Sequence, residues 1–401
     1  MRKFLLILLS GLSAALLISG ALAVYLDLHL YLRPIPADFD AAVRQQMEAA
    51  KLPGVALGVI EDNQLVFAKG YGEANIAEGR PVTPVTTFQI ASVSKLVTGA
   101  ALMRLYDQGK FGLDDDIDAY LPFSVRNPRY PAIPITFRML LAHTSSIADG
   151  PSYNATYTLG KSEDSPIALG EYLLEYFTPA GKYYDIRKNF TRNQPGSAYE
   201  YSNTGFALVG YLIEQITGMP FDRFCEQEVF TPLGMASTHW LYRDVDEAHW
   251  AMPYRYDVLQ RGYLPLGAYS FATYPDGALK TSINDFARFL IPFTNGGKTA
   301  GGEIFLQAAT VAEMLRVQYP QSGEMTGLAW HVDVEGVQFQ HTGSDPGITT
   351  MVVLKPAERL ALITFTNGGG AESVGGMRST FGFLQFVKNI TPRLVKAARS
   401  Q

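Results

Sequence analysis

The chain has 401 residues, a net charge of -5, 47% hydrophobic residues and 18% charged residues. These values predict a globular protein that buries a sizeable core, and they exclude both a disordered chain and the basic surface that nucleic-acid binding requires. The single cysteine, Cys225, can form no internal disulfide and is expected to be a buried apolar residue.

A long apolar segment lies near the start of the chain. Arg2 and Lys3 precede residues 4–26, which carry no charged side chain. A helix of this length extends about 34 Å, enough to cross the hydrocarbon core of a bilayer. A cleaved signal peptide is the alternative, because residues 21–23 read Ala-Leu-Ala. Residues 1–33 are therefore predicted to be a membrane anchor or a signal peptide, and either one exports the rest of the chain.

Strand and helix patterns then follow one another. Residues 54–74 predict two strands joined by a polar turn. A helix is predicted to begin near Ser92 and to end at a cap on Gly109. Further helical patterns occur at residues 205–217 and 284–293.

Strands return near the C terminus. Four apolar or alternating segments predict strands, at residues 328–336, 337–343, 349–356 and 359–368. Residues 381–390 predict a closing helix. Strands at both ends of the chain with helices between them indicate one sheet built from distant parts of the chain.

This order of elements predicts the α/β (α+β) fold class. The exported part, residues 34–401, is expected to be one discontinuous domain. Its sheet lobe would comprise residues 34–105 and 285–401, and its helical lobe residues 106–284.

Ser92 and Lys95 stand three residues apart at the start of the predicted helix. Residues three apart share one helix face, so the lysine amine can reach the serine hydroxyl. A neutral amine could take the serine proton, and burial lowers the pKa of a lysine toward the range in which it is neutral. Alternatively, Ser92 is a helix cap and Lys95 an exposed side chain, and the pair alone does not decide between the two.

Two later motifs complete a pattern. Tyr-Ser-Asn stands at residues 201–203 before a predicted helix, and His-Thr-Gly stands at residues 341–343 at the end of a predicted strand. In order and spacing, Ser-x-x-Lys, Tyr-x-Asn and His-Thr-Gly resemble the three signature elements of the serine β-lactamase and penicillin-binding protein superfamily. The tyrosine makes the chain most similar to the class C β-lactamase-like branch, and similar stretches extend over about residues 40–370.

The resemblance implies a fold and a set of roles. The fold would be β-lactamase/transpeptidase-like, with an antiparallel sheet flanked by helices and an inserted helical region. Ser92 would attack a carbonyl and form an acyl-enzyme, with Lys95 or Tyr201 as the base. Tyr201 would also protonate the leaving group, and Asn203 would hold Lys95 and a substrate amide. The sequence leaves open which of the two candidates is the base.

The resemblance also implies substrate-binding roles for His341, Thr342, Gly343 and Ser344. The backbone N–H groups of Ser92 and Ser344 would form the oxyanion hole, and Gly343 would leave room for the substrate. Many members of the superfamily have lysine where this chain has His341. An unperturbed imidazole is largely neutral at pH 7, so recognition of penicillin-like carboxylates is not favoured.

These features predict an exported serine hydrolase that cleaves an amide, peptide or ester bond through Ser92. A true class C-like β-lactamase or D,D-carboxypeptidase is one alternative, and a non-catalytic binding or scaffold protein is another. His143 is interpreted as structural, with Ser146 standing where the family has glycine. No metal or cofactor motif is found, so neither is expected. The expected partners are a small-molecule, peptide or ester substrate and the membrane.

Overall fold

The computed structural model describes residues 33–370 and 374–400. The predicted anchor or signal peptide lies outside the described residues, except for Arg33. Within the described residues, no helix is both long and apolar enough to cross a bilayer.

A seven-stranded antiparallel sheet lies at the centre of the fold. From one edge to the other its strands are β3 (Arg80–Pro81), β2 (Gln64–Asn75), β1 (Gly54–Glu61), β11 (Leu360–Thr366), β10 (Ile348–Lys355), β9 (Phe339–Asp345) and β8 (His331–Val332). The N-terminal strand β1 pairs with the C-terminal strand β11, which places Val55 opposite Thr366. The prediction of one sheet built from both ends of the chain is confirmed.

Two small sheets lie outside the central one. The first pairs β4 (Phe88–Gln89) with β7 (Lys280–Thr281), and the second pairs β5 (Tyr254–Asp257) with β6 (Gly262–Pro265). The β4–β7 pair ties the segment before Ser92 to a segment almost two hundred residues later in the chain.

Helices cover both faces of the central sheet. The helices that the structure describes are α1 (Phe39–Ala50), α2 (Ser94–Asp107), α3 (Phe137–Leu141), α4 (Leu169–Phe177), α5 (Asn203–Thr217), α6 (Phe221–Cys225), α7 (Thr231–Leu233), α8 (Ile283–Thr294), α9 (Ala308–Leu315) and α10 (Val374–Ala398). Helices α1 and α10 pack on one face, whereas α8 packs on the other and joins the larger core that contains α2 and α5.

Strand β1 shows why the sheet is buried on both faces. Val55 and Leu57 belong to the apolar cluster with α1 and α10, and Ala56 and Ile60 belong to the larger core. Successive side chains of a strand point to opposite faces, so a strand covered on both faces reads as a continuous apolar run.

Local turns account for the ends of the predicted elements. Asp62 and Asn63 have φ of 49° and 64°, the left-handed pair that a two-residue hairpin between β1 and β2 requires. Gly109, with φ of 67°, follows the end of α2 as predicted.

The predicted strand at residues 328–336 is much shorter than expected. Only His331–Val332 forms a strand, because Asp333 starts a turn. The Asp333 carboxylate accepts hydrogen bonds from the backbone N–H groups of Val337 and Gln338 at 2.9 and 3.0 Å. The division into a sheet lobe and a helical lobe stays a prediction, and the larger core includes residues from both.

Candidate active site

Ser92 lies in a short 3-10 turn directly before α2 and is half-buried. The preceding residue, Ala91, has φ of 49°, a left-handed conformation that is strained for any residue with a side chain. Neighbouring segments hold this turn. Ile90 donates its N–H to Leu279 O at 2.9 Å, and Thr350 Oγ1 donates to Ile90 O at 2.8 Å. The backbone at Ser92 is therefore constrained before any substrate binds.

The Lys95 side chain is completely buried, which excludes the alternative of an exposed lysine. Its Nζ lies 3.1 Å from Ser92 Oγ, 2.6 Å from Asn203 Oδ1 and 2.8 Å from Asp276 O. The amide and peptide oxygens can only accept, whereas the serine hydroxyl can accept or donate. The geometry therefore fits both an ammonium ion with three donated hydrogen bonds and a neutral amine with its lone pair toward Ser92.

The charges around Lys95 decide between these two protonation states. Burial lowers the pKa of Lys95, but the anion that Tyr201 forms at alkaline pH and the carboxylate of Asp276 outweigh it, so this pKa lies above its ordinary value. Burial raises the pKa of Tyr201, and Lys95 offsets this only in part. The resting site at neutral pH thus holds an ammonium ion and a neutral phenol. This net direction for Lys95 is opposite to the sequence-based expectation.

Tyr201 lies among three histidines. Its ring stacks on His143 with centroids 4.4 Å apart, and the rings of His331 and His341 are each 6.3 Å away. The Nζ of Lys95 lies 4.9 Å from the centroid of the tyrosine ring. Rings on several sides and an ammonium ion against its face hold Tyr201 beside the reacting groups.

Asn203 is the first residue of α5, and Asp149 fixes its orientation. The carboxylate of Asp149 accepts from Asn203 Nδ2 at 2.8 Å, from Asn203 N at 3.0 Å and from Thr204 N at 2.8 Å. Ser202 caps the same helix by accepting from Gly205 N at 2.9 Å. The amide nitrogen of Asn203 is thereby committed to Asp149, which leaves its oxygen for Lys95.

The four predicted substrate-binding residues all lie on β9, beside the Ser92 turn. The side chains of Thr342 and Ser344 are exposed, whereas His341 and Gly343 are buried toward the turn. A Cβ on Gly343 would lie 2.5 Å from Ile90 O, closer than real Cβ contacts. Only glycine allows the strand to approach the nucleophile this closely.

His341 is 1% exposed and contacts Thr342 O through Nδ1 at 2.8 Å. Because a carbonyl oxygen only accepts, Nδ1 carries a proton. Burial, together with the charges of His331 and Lys95, holds the pKa of His341 well below its usual value. The imidazole is therefore neutral at pH 7, which agrees with the expectation from the sequence.

His143 packs against Tyr201, and its interpretation as a structural residue stays a prediction. Its Nδ1 accepts from Ser202 N at 3.1 Å, which holds the ring that stacks on Tyr201. Ser146, which replaces the glycine of the family, has φ of 65°. Its hydroxyl accepts from Asn127 Nδ2 at 3.0 Å, which helps to hold a conformation that glycine adopts without strain.

Three residues of the site were missed in the sequence. Asp149 and Asp276 each precede glycine, and Asp-Gly pairs are typical of turns, so nothing marked them as partners of Asn203 and Lys95. His331 lies between an apolar run and a turn, with its ring centroid 5.1 Å from that of His341. No local signal pointed to the first two, because each lies about 50 residues or more from the nearest signature motif.

Fold and site together define a serine hydrolase of the β-lactamase/transpeptidase type. The family model described as Beta-lactamase matches residues 39–384. The chain therefore belongs to the Beta-lactamase family, and the resemblance inferred from its three motifs is confirmed.

Individual relatives agree with this family. A penicillin-binding protein of Bacillus subtilis (strain 168) is 26% identical over 323 residues, which cover 77% of this chain and 66% of that protein. Protein flp of Staphylococcus aureus (strain MRSA252) is 26% identical over 215 residues, which cover 54% of this chain and 40% of that protein. The chain therefore spans only part of the length of these two relatives.

Solved structures show the same fold. D-alanine carboxypeptidase from Burkholderia cenocepacia has a TM-score of 0.64 and 18% identity, and the match covers 88% of this chain and 96% of that one. A class C β-lactamase from Rhodobacter sphaeroides has a TM-score of 0.61 and 19% identity, with 88% and 99% covered.

Proposed function

We propose that this protein is an exported serine hydrolase that cleaves an amide, peptide or ester bond through an acyl-enzyme on Ser92. The observation that carries the proposal is the 3.1 Å contact between Lys95 Nζ and Ser92 Oγ, in a site where Asn203 and Tyr201 complete the surroundings of the ammonium group. A scaffold protein gains nothing from burying an amine against a serine hydroxyl, because burial of a charged group is costly.

The reaction would proceed in two halves. Ser92 Oγ attacks the carbonyl carbon, its proton passes to the Lys95–Tyr201 pair, and the backbone N–H groups of Ser92 and Ser344 hold the oxyanion. Tyr201 then returns a proton to the leaving group as the carbonyl bond to that group breaks. In the second half, water attacks the acyl-enzyme, and the same pair takes a proton from the water and returns one to Ser92 Oγ.

The neutral side chain of His341 favours substrates that have no carboxylate beside β9. A substrate carboxylate that lay against β9 would meet a neutral imidazole there rather than a permanent cation. A substrate without a carboxylate at this position loses no binding free energy when the cation is absent. A peptide, amide or ester without such a carboxylate therefore ranks above a penicillin-like substrate. The names of the relatives, a penicillin-binding protein and a D-alanine carboxypeptidase, keep D,D-carboxypeptidase activity as the second candidate.

Export rests on the sequence of the N-terminal segment. Arg2 and Lys3 followed by the apolar residues 4–26 fit either an uncleaved anchor or a signal peptide. Cell fractionation tests this part of the proposal: anchored protein stays with the membrane after carbonate extraction, cleaved protein is found in the exported fraction, and protein in the cytoplasm contradicts both.

Turnover by the full-length protein in detergent tests the substrate class. We expect kcat/KM for a p-nitrophenyl ester, which has no carboxylate, to exceed the values for the β-lactam nitrocefin and for a D-alanyl-D-alanine peptide, which both have one, by about tenfold or more. Ser92→Ala should retain less than about a tenth of wild-type turnover while it stays folded. A β-lactam as the best substrate would reverse the ranking, and full activity in the variant would refute the proposed nucleophile.

A further inference from the structure

Asp276 lies directly beside Lys95. It ends the 3-10 turn Tyr274–Asp276 and is 1% exposed. Its backbone oxygen accepts from Lys95 Nζ at 2.8 Å, and its carboxylate oxygen Oδ1 lies 3.9 Å from the same nitrogen. Tyr153 donates its hydroxyl to Oδ1 at 2.9 Å, which fixes the carboxylate beside the amine.

A buried ammonium ion needs a buried negative charge nearby. The carboxylate of Asp149 is committed to the N–H groups at the start of α5, where three hydrogen bonds hold it. Tyr201 is neutral at rest because burial raises its pKa. Asp276 is therefore the carboxylate that forms the ion pair with Lys95 within the part of the chain that the structure describes.

We propose that Asp276 is a positioning residue of the reaction, whose carboxylate holds Lys95 as an ammonium ion and thereby sets the pH range in which Ser92 is activated. The inference rests on the proposed function. Asp276 does not touch the reacting atoms, and it acts through Lys95.

The negative charge of Asp276 affects the pKa values of both Lys95 and Tyr201. Burial raises the pKa of Asp276 to about 7, although Lys95 pulls it down, so the carboxylate is charged on the alkaline side of neutrality. There it raises the pKa of both Lys95 and Tyr201. The Lys95–Tyr201 pair must lose one proton before it can accept the proton of Ser92. The charge of Asp276 moves that proton loss to higher pH, whichever of the two groups is the base.

Other titratable groups also face these residues. Around Lys95 and Asp276 they are Tyr201, Asp149, His143, His331, His341, Tyr153, Tyr157, Tyr172, Tyr176 and Asp345. Burial lowers the pKa of the three histidines and raises that of Tyr153, so these groups stay neutral between about pH 7 and 10.

The variant Asp276→Asn keeps the size of the side chain and removes its charge. Lys95 and Tyr201 then lose their first shared proton at lower pH. The acid limb of the pH profile for Ser92 acylation should move down by about one to three pH units, the effect of a charge at this distance. A purely structural role for Asp276 would lower the rate at every pH without moving the limb.

The test measures the rate of labelling by a fluorophosphonate probe between about pH 5 and 10 in full-length protein. Glu214→Gln is the control, because Glu214 is a half-buried acid near the end of α5 whose Oε1 accepts from Phe221 N at 3.0 Å. Its profile should coincide with that of the wild type. An acid limb that stays in place in Asp276→Asn overturns the inference.

Two outcomes separate this inference from the proposed function. If the wild type is not labelled on Ser92 at any pH, the proposed function is wrong. If both proteins are labelled and the acid limb lies at the same pH in the wild type and in Asp276→Asn, only the role of Asp276 is wrong. If Asp276→Asn does not fold, Tyr153→Phe replaces it. This variant removes the hydroxyl that donates to Asp276 and should move the limb in the same direction by less, and no movement there also overturns the inference.

Discussion

Gly343 shows how a missing side chain places the substrate strand against the nucleophile. A methyl group there would lie 2.3 Å from Thr350 Oγ1 and 2.5 Å from Ile90 O. Gly343→Ala should therefore push β9 away from Ser92 and destabilise the fold by about 1–3 kcal/mol, as overpacking does. Urea unfolding gives the free energy, and fluorophosphonate labelling gives the state of the site.

The matched control for this variant is Gly262→Ala. Gly262 lies on β6, and a Cβ there has no atom nearer than 3.9 Å. Its stability and its labelling rate should match the wild type. If Gly343→Ala behaved like this control, the close approach of β9 to Ile90 would not matter for the site.

The buried histidines predict how stability depends on pH. Burial holds the pKa of His143 and of His341 well below 6.5, so both stay neutral in the folded state as pH falls. The unfolded chain takes up these protons below about pH 6.5, so the free energy of unfolding falls there, by about 1.4 kcal/mol per pH unit for each histidine. Stability is therefore expected to be higher at pH 7 than at pH 5.

His341→Gln tests the contribution of one imidazole. The variant should lose about 1–2 kcal/mol less stability than the wild type between pH 7 and pH 5, because one proton fewer binds the unfolded chain. Urea unfolding at the two pH values measures the difference. Equal losses in both proteins would show that His341 titrates normally in the folded state.

At the scale of single residues, the sequence predicted the members of the site and missed the partners that set their protonation. Ser92, Lys95, Tyr201 and Asn203 stand in short motifs whose chemistry is readable from residue type and spacing. The net pKa of Lys95 was not readable, because it depends on Tyr201 and Asp276, which lie far away in the chain and reach the amine only through the fold.

Helix α5 carries Asn203 into the site, and its N terminus is the element on which the orientation of that amide depends. Asp149→Ala would remove three hydrogen bonds at this terminus. We expect a loss of about 1–3 kcal/mol in stability and a fall in the labelling rate of more than about tenfold. Urea unfolding and the labelling assay at one pH measure both effects.

Asp38→Ala supplies a matched cap at a distance from the site. Asp38 caps α1 by accepting from Ala41 N at 2.8 Å. The variant should lose about 1 kcal/mol of stability and keep its labelling rate. An Asp149→Ala protein that lost stability but labelled normally would show that Asn203 keeps its orientation without the carboxylate.

At the scale of elements, amphipathic or apolar patterns predicted α2, α5, α8 and the strands β9, β10 and β11. The strand predicted at residues 328–336 failed because Asp333 turns the backbone soon after it starts. The small sheet of β4 and β7 was also missed. A two-residue strand is too short to show an alternation of apolar and polar residues. It forms only because two segments that are distant in the chain pair through their backbones.

At the scale of the whole molecule, α10 covers the face of the sheet opposite to the site. Phe386 on this helix is 1% exposed, whereas Phe381 is 58% exposed. Phe386→Ala should cost about 3–5 kcal/mol in urea unfolding, because it leaves a cavity beneath the helix. Phe381→Ala, the control on the same helix, should cost less than about 0.5 kcal/mol. Equal costs would contradict the described packing of α10.

The overall architecture was predictable because the strands lie at both ends of the chain and the helices between them. Antiparallel pairing of β1 with β11 closes the sheet and brings the Ser92 turn beside β9. No local pattern contained the approach of Asp149 to Asn203 or of Asp276 to Lys95, since both contacts depend on how the intervening loops pack.

The most direct test of Ser92 as the nucleophile is intact-protein mass spectrometry of the full-length chain after treatment with a fluorophosphonate probe. We expect a single covalent adduct that peptide mapping places on Ser92, and no adduct in Ser92→Ala. An adduct of equal yield in Ser92→Ala, or an unlabelled wild type across the pH range in which the protein is folded, would contradict Ser92 as the nucleophile.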